Sequence, residues 1–139
     1  MTLFYLLDTN VVSEPLRPKP NPAVMAKLQA HQEEIATATI VWHELLFGCQ
    51  RLPESKKRRL IQTYLQNVVK PHIPLLSYDQ IAATWHAEER TRLVSAGLTP
   101  AFADGQIAAT AIANDLILVT NNTSDFENFI NLKLENWHQ

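Results

Sequence analysis

Near the start of the chain lies FYLLDTNVVSE, residues 4–14, in which an apolar run ends on a carboxylate, Asp8. The run itself, Leu3–Leu7, is short and apolar throughout, which is typical of a strand buried on both faces of a sheet. Aspartate is among the best helix N-cap residues, so Asp8 could simply cap the segment that follows. Alternatively, Asp8 holds something charged. This stretch alone leaves both interpretations open.

Composition limits the class of protein. The sequence has 139 residues, which predicts a single domain over residues 1–139 with one core. Apolar residues make up 46% and charged residues 19%, as in ordinary soluble proteins, and we expect neither a signal peptide nor a membrane span. Cys49 is the only cysteine, which excludes an internal disulfide and a cysteine metal cluster. A reducing, cytoplasmic location fits best.

The net charge of −2 favours no particular partner, but the basic residues are clustered. A run from Lys56 to Arg59 follows shortly after Arg51, whereas Lys133 is the only basic residue from Thr99 onward. Such a run is usually a solvated helix face, although it can also follow a phosphate backbone. The candidate phosphate contacts are Arg51, Lys56, Lys57 and Arg58.

Strand-like and helix-like segments alternate along the chain. The predicted strands are Leu3–Leu7, Ile35–Thr39, His72–Leu76, Leu116–Thr120 and an edge strand at Leu132–Glu135. The predicted helices are Ala23–His31, Ile40–Leu52, Glu54–Val69, Ile81–Ser95 and Ala101–Asn114, the last with Thr99 as N-cap and Pro100 in its first turn. This alternation predicts an α/β fold with a parallel sheet covered on both faces. Ligands in such sheets bind at the carboxyl ends of the strands, where Asp8 and Thr120 lie.

Two carboxylates lie within apolar helix faces. Glu44 shares the i, i+3, i+4 face of its helix with Val41 and Leu45, and Asp104 shares one with Ile107 and Ala108. An ionised carboxylate that faces a core is costly unless it is paired or bound to a metal. Together with Asp8, these residues predict a common counter-charge.

Each acid also has an ordinary structural explanation. Glu44 could pair with a buried arginine, and Asp104 could favour the positive end of a helix dipole. Asp125 could be a first-turn acid, because Ser124 and Glu127 have capping-box spacing. Taken together, however, four carboxylates at one sheet edge without cysteine ligands suggest a site for Mg²⁺ or Mn²⁺. Such ions assist phosphodiester hydrolysis.

Motifs for other chemistries are absent from the sequence. It has no Gly-rich phosphate loop with GKS/T, no G-x-S-x-G elbow, and no H-x-x-x-H pair among its five histidines. This leaves metal-assisted hydrolysis as the leading chemistry.

Four ordered motifs extend the argument: LLDTNVVSE, HELLFG, AFADGQIAATAIAND and LVTNNTSDF. In this order they resemble the motifs of PIN-domain ribonucleases, and especially those of VapC-type toxins from bacterial type II toxin–antitoxin pairs. The resemblance runs from Leu3 to about Trp137. It implies a three-layer α/β/α fold with a mostly parallel five-stranded sheet, and a Mg²⁺- or Mn²⁺-dependent endoribonuclease.

The resemblance also implies roles for individual residues. Asp8, Glu44 and Asp104 match the family's acidic metal-site residues, and Asp125 matches a position that supplies the fourth acid in some relatives. The supporting polar positions are Asn10, Thr120 and Asn122. A homodimer and a small antitoxin are implied as partners. The antitoxin would lie across a groove, for which exposed apolar positions on the helices flanking Pro53 are suitable.

Two alternatives remain at this point. A catalytically inactive PIN-like module that binds RNA or protein would have no use for an intact acid cluster. A Mg²⁺-dependent phosphatase of the haloacid-dehalogenase kind would also begin with a strand and an aspartate. That class needs a second aspartate two residues later, where this chain has Asn10.

Overall fold

Short apolar segments form the strands of one sheet. The structure, a computed structural model, describes residues 2–139. The three central strands are β1 (Tyr5–Leu7), β2 (Ile35–Ala38) and β4 (Ile117–Val119), and each is slightly shorter than predicted. The edge strands are β3 (Leu75–Leu76) and β5 (Leu134–Glu135), the second of which confirms the predicted last strand.

The strands lie in the order β3-β2-β1-β4-β5, and every neighbouring pair is parallel. The α/β prediction is confirmed, with a sheet that is entirely rather than mostly parallel. Leu7 pairs in register with Thr37 on one side and Val119 on the other, so three carboxyl ends lie level. After β3 the chain returns to the other side of β1. The strand order therefore reverses between β1 and β4, which is where ligands bind in open α/β sheets.

Helices connect the strands and flank the sheet. They are α1 (Thr9–Val12), α2 (Pro22–Ala30), α3 (Thr39–Gln50), α4 (Lys56–Tyr64), α5 (Lys70–His72), α6 (Gln80–Ser95) and α7 (Phe102–Ala113). Short 3₁₀ turns lie at Glu14–Leu16 and Thr123–Asp125. None of the helices between residues 2 and 139 combines the length and hydropathy that a transmembrane span requires.

The core lies on the central strands and on α7. Leu6 and Leu118 are fully buried at neighbouring positions of the sheet. Helix α7 buries Ile107 between small residues such as Ala108 and Ala111, which allow close packing. A buried sheet with closely packed helices gives the loops at its carboxyl edge a rigid support.

The prediction of one helix over Glu54–Val69, followed by a strand at His72–Leu76, was wrong in two respects. Helix α4 starts at Lys56, and its chain continues as a π-helical segment (Leu65–Val69) and then as α5. Pro71 lies within α5, so the helical stretch continues through it to His72. The third strand is therefore limited to two residues.

One predicted helix start was also wrong. Helix α7 begins at Phe102 with Ala101 as N-cap, so Thr99 does not cap it. At Ser124 no α-helix begins, but the chain forms a 3₁₀ turn in which Asp125 is a first-turn acid, so the structural explanation offered for Asp125 is compatible with the fold.

Candidate active site

Asp8 is buried at the carboxyl end of β1, and its two oxygens have different partners. Oδ1 accepts a hydrogen bond of 2.8 Å from the backbone N–H of Thr9, so Asp8 does cap α1. Oδ2 accepts a 2.9 Å bond from the hydroxyl of Thr120 and a 3.3 Å bond from the amide of Asn10. The two interpretations of the opening stretch are therefore compatible. Oδ1 caps α1, and Oδ2 is bonded by Thr120 at the end of β4.

The surroundings of Asp8 disfavour the ionised form of its carboxyl group. Burial raises the pKa of this carboxyl, and the negative charge of Glu44 raises it further. The hydrogen bonds from Thr9, Thr120 and Asn10 lower the pKa but do not cancel the effect of burial. The ionised form would gain from a nearby cation.

Glu44 is the second acid, half-buried on α3. Its Oε2 accepts a 2.8 Å hydrogen bond from the hydroxyl of Thr9, the residue next to Asp8. Val41, on the same face, is fully buried, which confirms the predicted apolar stripe. This contact of Thr9 could not be predicted from the sequence, because Glu44 lies 35 positions away in the chain.

Asp104 is the third acid and lies half-buried in the first turn of α7. Its pKa is raised to about 6, first by burial and then by the negative charges of Asp8, Asp125 and Glu44. Asp125 is exposed on the 3₁₀ turn that follows β4. The four predicted acids therefore lie close enough to interact through their charges at one edge of the sheet.

The four carboxylates have no close basic partner among the residues that the structure describes. Within residues 2–139, none of them has a Lys, Arg or His nitrogen within 4.0 Å. In the same part of the chain, no three His, Cys, Asp or Glu side chains converge closely enough to ligate one ion as they stand. The donor set consists of carboxylate oxygens, which fits Mg²⁺ or Mn²⁺.

Polar residues after β4 connect the cluster to the sheet. The side chain of Asn10 accepts a 3.0 Å bond from the N–H of Asn121 and contacts the Thr120 hydroxyl at 3.4 Å. Asn122 donates its backbone N–H to that hydroxyl at 3.0 Å, while the residue itself is exposed. Thr120 and Asn10 thus contact Asp8 directly. Asn121 belongs to this network but was not among the predicted site residues.

The four basic candidates differ in the exposure and the contacts of their side chains. Lys56 and Lys57 are exposed in the first turn of α4, and the guanidinium of Arg51 lies 5.3 Å from the ring centre of Phe47. Arg58 is half-buried, and its Nη1 donates a 3.1 Å bond to the carbonyl of Leu52. Lys57 lines the same cleft as Glu44.

An apolar groove begins at the acid cluster. A cleft of about 690 Å³ lies between α3 and α4 and is lined by Glu44, Leu45 and Leu60, among others. Neighbouring clefts continue from Leu60 past Tyr64 and Val68 to α2. Leu60 is 63% exposed. We call this surface, from Glu44 along α4 to α2, the α4 groove.

Comparison with known proteins identifies the family. The PIN domain family model matches residues 5–130. The chain is 37% identical to Toxin FitB of Neisseria gonorrhoeae, over 87% of this chain and 89% of that protein. It is 35% identical to VapC ribonuclease Y4jK of Sinorhizobium fredii, over 88% and 89%. The chain belongs to the VapC family of PIN-domain toxin ribonucleases.

Other relatives match this chain over nearly its whole length. The tRNA(fMet)-specific endonuclease VapC of Shigella flexneri is 30% identical over 97% of this chain and 98% of that protein. The crystal structure of FitAcB from Neisseria gonorrhoeae superposes with a TM-score of 0.88 and 34% identity, covering 96% and 98%. VapBC2 from Rickettsia felis, bound to a promoter DNA fragment, gives a TM-score of 0.83 and 31% identity over 99% of each chain.

Proposed function

We propose that this chain is a divalent-metal-dependent endoribonuclease and the toxin of a type II toxin–antitoxin pair. One observation carries the proposal. Asp8, Glu44, Asp104 and Asp125 gather at the reversal point of a parallel sheet without a neutralising base. Structured RNA is the proposed substrate class, since one relative is named a tRNA(fMet)-specific endonuclease.

The acids have distinct proposed roles. Asp8 and Asp104 would hold Mg²⁺ or Mn²⁺ directly, with Glu44 as a further ligand or as the group that orients the attacking water. Asp125 is proposed as a fourth, outer ligand, because it is exposed on a short turn. The ion, when bound, would supply positive charge for the phosphate and for the oxygens that gain charge during the reaction.

The chain's own residues would orient the reactants. Thr9 fixes Glu44 by its hydroxyl, so that one carboxylate oxygen remains free to accept a proton from water. Water attacks phosphorus in line with the leaving 3′ oxygen, and the P–O3′ bond breaks to leave a 5′-phosphate and a 3′-hydroxyl. Lys57, in the cleft beside Glu44, is placed to contact the RNA backbone.

The deciding experiment is an RNA cleavage assay with purified chain, a tRNA pool and Mg²⁺ or Mn²⁺. We expect cleavage that EDTA stops and that Asp8→Asn reduces by at least about a hundredfold. Asp115→Asn is the matched control. Asp115 precedes β4 at the opposite edge of the sheet, and its φ of 54° suits asparagine equally well. Equal cleavage by Asp8→Asn and the wild type would refute the proposal.

The α4 groove is the proposed antitoxin surface. It is apolar, it leads to the acid cluster, and it carries exposed Leu60 on one of the helices flanking Pro53. Relatives have been crystallised as FitAcB and VapBC2, which supports a protein partner of this kind. An antitoxin segment with apolar side chains would bury Leu60 and Val68 and exclude RNA from Glu44.

This surface is tested with the small protein encoded beside the toxin gene. Leu60→Glu places a charge in the groove and is expected to weaken the complex by at least about a hundredfold, measured by calorimetry. Ile81→Glu is the control, because Ile81 is 67% exposed on α6, outside the groove. Equal affinity of both variants would place the antitoxin elsewhere.

A homodimer is also proposed. Val94, near the end of α6, and Leu98, in the turn that follows this helix, are large apolar side chains exposed to 52% and 39%. A second copy of the chain could cover them. Sedimentation equilibrium is expected to give a dimer for the wild type and a monomer for Val94→Glu. A monomeric wild type would contradict this.

A further inference from the structure

The first turn of α7 carries Asp104 but has no capping side chain. Ala101 is the N-cap and cannot accept a hydrogen bond from the first helical N–H groups. The position of this turn, and with it that of the Asp104 carboxylate, must therefore be set by packing. Helix α6 is the element that packs against it, because α6 and α7 form the most extensive contact between helices in residues 2–139.

The closest approach between the two helices lies at Gly105. This glycine directly follows Asp104 and is fully buried in the helix. A Cβ atom built on it would lie only 2.1 Å from Nε2 of His86, a residue of α6 that is 4% exposed. Glycine is thus required here for close approach rather than for an unusual backbone angle, and the imidazole occupies the space that a side chain would fill.

The imidazole of His86 is held on its other sides as well. Its Nδ1 is hydrogen-bonded to the hydroxyl of Tyr78 at 2.8 Å. The ring of Phe102, the first residue of α7, lies 4.9 Å away between ring centres. Tyr78 itself follows β3, so it is anchored at the carboxyl edge of the sheet. The ring cannot move aside without breaking one of these contacts.

We propose that His86 is a positioning residue for Asp104. Tyr78 fixes the ring, the ring fixes the backbone at Gly105, and the backbone sets the distance from the Asp104 carboxylate to Asp8 and Glu44. The inference rests on the proposed metal site. His86 acts through α7 and needs no contact with the ion or with RNA.

The test compares the Mn²⁺ affinity of the metal-free wild type with that of two single variants and their double variant. Gly105→Ala adds one methyl group that collides with the ring, and it is expected to weaken Mn²⁺ binding by about tenfold or more. His86→Ala, which frees the ring's space, is combined with it in a double variant. We expect the double variant to bind Mn²⁺ more tightly than Gly105→Ala alone, even though its melting temperature is lower than that of the wild type.

Thr84→Ala is the matched control. Thr84 is exposed on α6, two residues before His86, and its hydroxyl donates to the carbonyl of Gln80 in the same helix, so Mn²⁺ binding should not change. Tyr78→Phe is a milder second variant that removes only the hydrogen bond to the ring. It should weaken Mn²⁺ binding and lower kcat, with little change in the KM for RNA, at a melting temperature near that of the wild type.

The outcomes separate the two proposals. If the wild type does not bind Mn²⁺, or if Asp104→Asn binds it equally well, the proposed metal site fails and this inference fails with it. If the wild type binds and Asp104→Asn does not, but Gly105→Ala binds as tightly as the wild type, only the role of His86 is refuted. A double variant that binds no better than Gly105→Ala would refute it as well.

Discussion

The hydroxyl of Thr120 donates a hydrogen bond of 2.9 Å to Oδ2 of Asp8 and so joins two strand ends that lie 112 residues apart in the chain. Both residues are buried at the point where the strand order reverses. This bond stabilises the charged form of an acid whose pKa burial would otherwise raise further.

Thr120→Val removes this bond at nearly constant volume. We expect a loss of about 1–3 kcal/mol in the free energy of unfolding, because a buried acceptor loses a donor. Mn²⁺ binding should also weaken at neutral pH, because the pKa of Asp8 rises. Urea unfolding and calorimetry measure the two effects. Thr110→Val, which removes a buried hydroxyl that bonds only within α7, should leave Mn²⁺ binding unchanged. Equal Mn²⁺ affinities of the two variants would contradict the expectation.

Stability should depend on pH through Asp104. Its pKa in the folded protein is about 6, above its ordinary value of 3.8, so the folded state binds a proton more tightly than the unfolded state does. Stability from this group is fully present below about pH 4 and is lost as the pH rises through about 6. We expect the melting temperature of the wild type, measured in EDTA, to fall relative to that of Asp104→Asn as the pH rises from about 4 to about 6. Mg²⁺ or Mn²⁺ should remove the shift. A difference that does not change with pH would contradict the assignment.

Thr9→Val should lower kcat by about tenfold, because Glu44 loses the donor that orients it. Thr9→Ser keeps the hydroxyl and should recover most of the activity. The Mn²⁺ affinity of both variants reports whether Glu44 acts as a ligand or on the water alone. Thr91→Val, on the exposed face of α6, is the control. Loss of activity in Thr9→Ser as large as that in Thr9→Val would show that the hydroxyl is not the relevant group.

Lys57 and Arg58 are expected to have different roles, because their contacts differ. Lys57→Ala is expected to raise the KM for RNA and to reduce its dependence on salt, since an exposed charge near the phosphate is lost. Arg58→Ala should instead lower the free energy of unfolding by about 1 kcal/mol, since its guanidinium donates to the carbonyl of Leu52. Steady-state kinetics at two salt concentrations, with urea unfolding, distinguish the two effects. A purely kinetic effect of Arg58→Ala would reverse the assignment.

The sequence was sufficient to predict the central strands and that Asp8, Glu44 and Asp104 lie close together, and elementary physical arguments explain why. Short apolar runs bounded by polar residues leave few alternatives to a buried strand, and a carboxylate on an apolar helix face is costly without a counter-charge. Asp8, Glu44 and Asp104 all carry this kind of signal. Asp125, exposed on a turn, does not; its place after the predicted fourth strand and the resemblance to a family suggested it.

The features that the sequence could not supply depend on partners distant in the chain. Thr9 looks like an ordinary turn residue until Glu44 is placed beside it. Helix α7 starts at Phe102, whereas the Thr99–Pro100 signal predicted a start at Ala101 with Thr99 as cap. Likewise, the sequence predicted an ordinary helix at Leu65–Val69, because local periodicity does not distinguish a π-helical segment from an α-helix.

The central position of β1 has a consequence for synthesis. The first strand lies in the middle of the sheet, and its Asp8 needs Asp104 on α7 and Thr120 after β4 to complete the acid cluster. A nascent chain that has left the ribosome only as far as α6 therefore contains Asp8 and Glu44 but no complete cluster. Termination of translation before Asp104 therefore leaves a chain without the complete acid cluster, and the cluster forms only after α7 and β4 have been made.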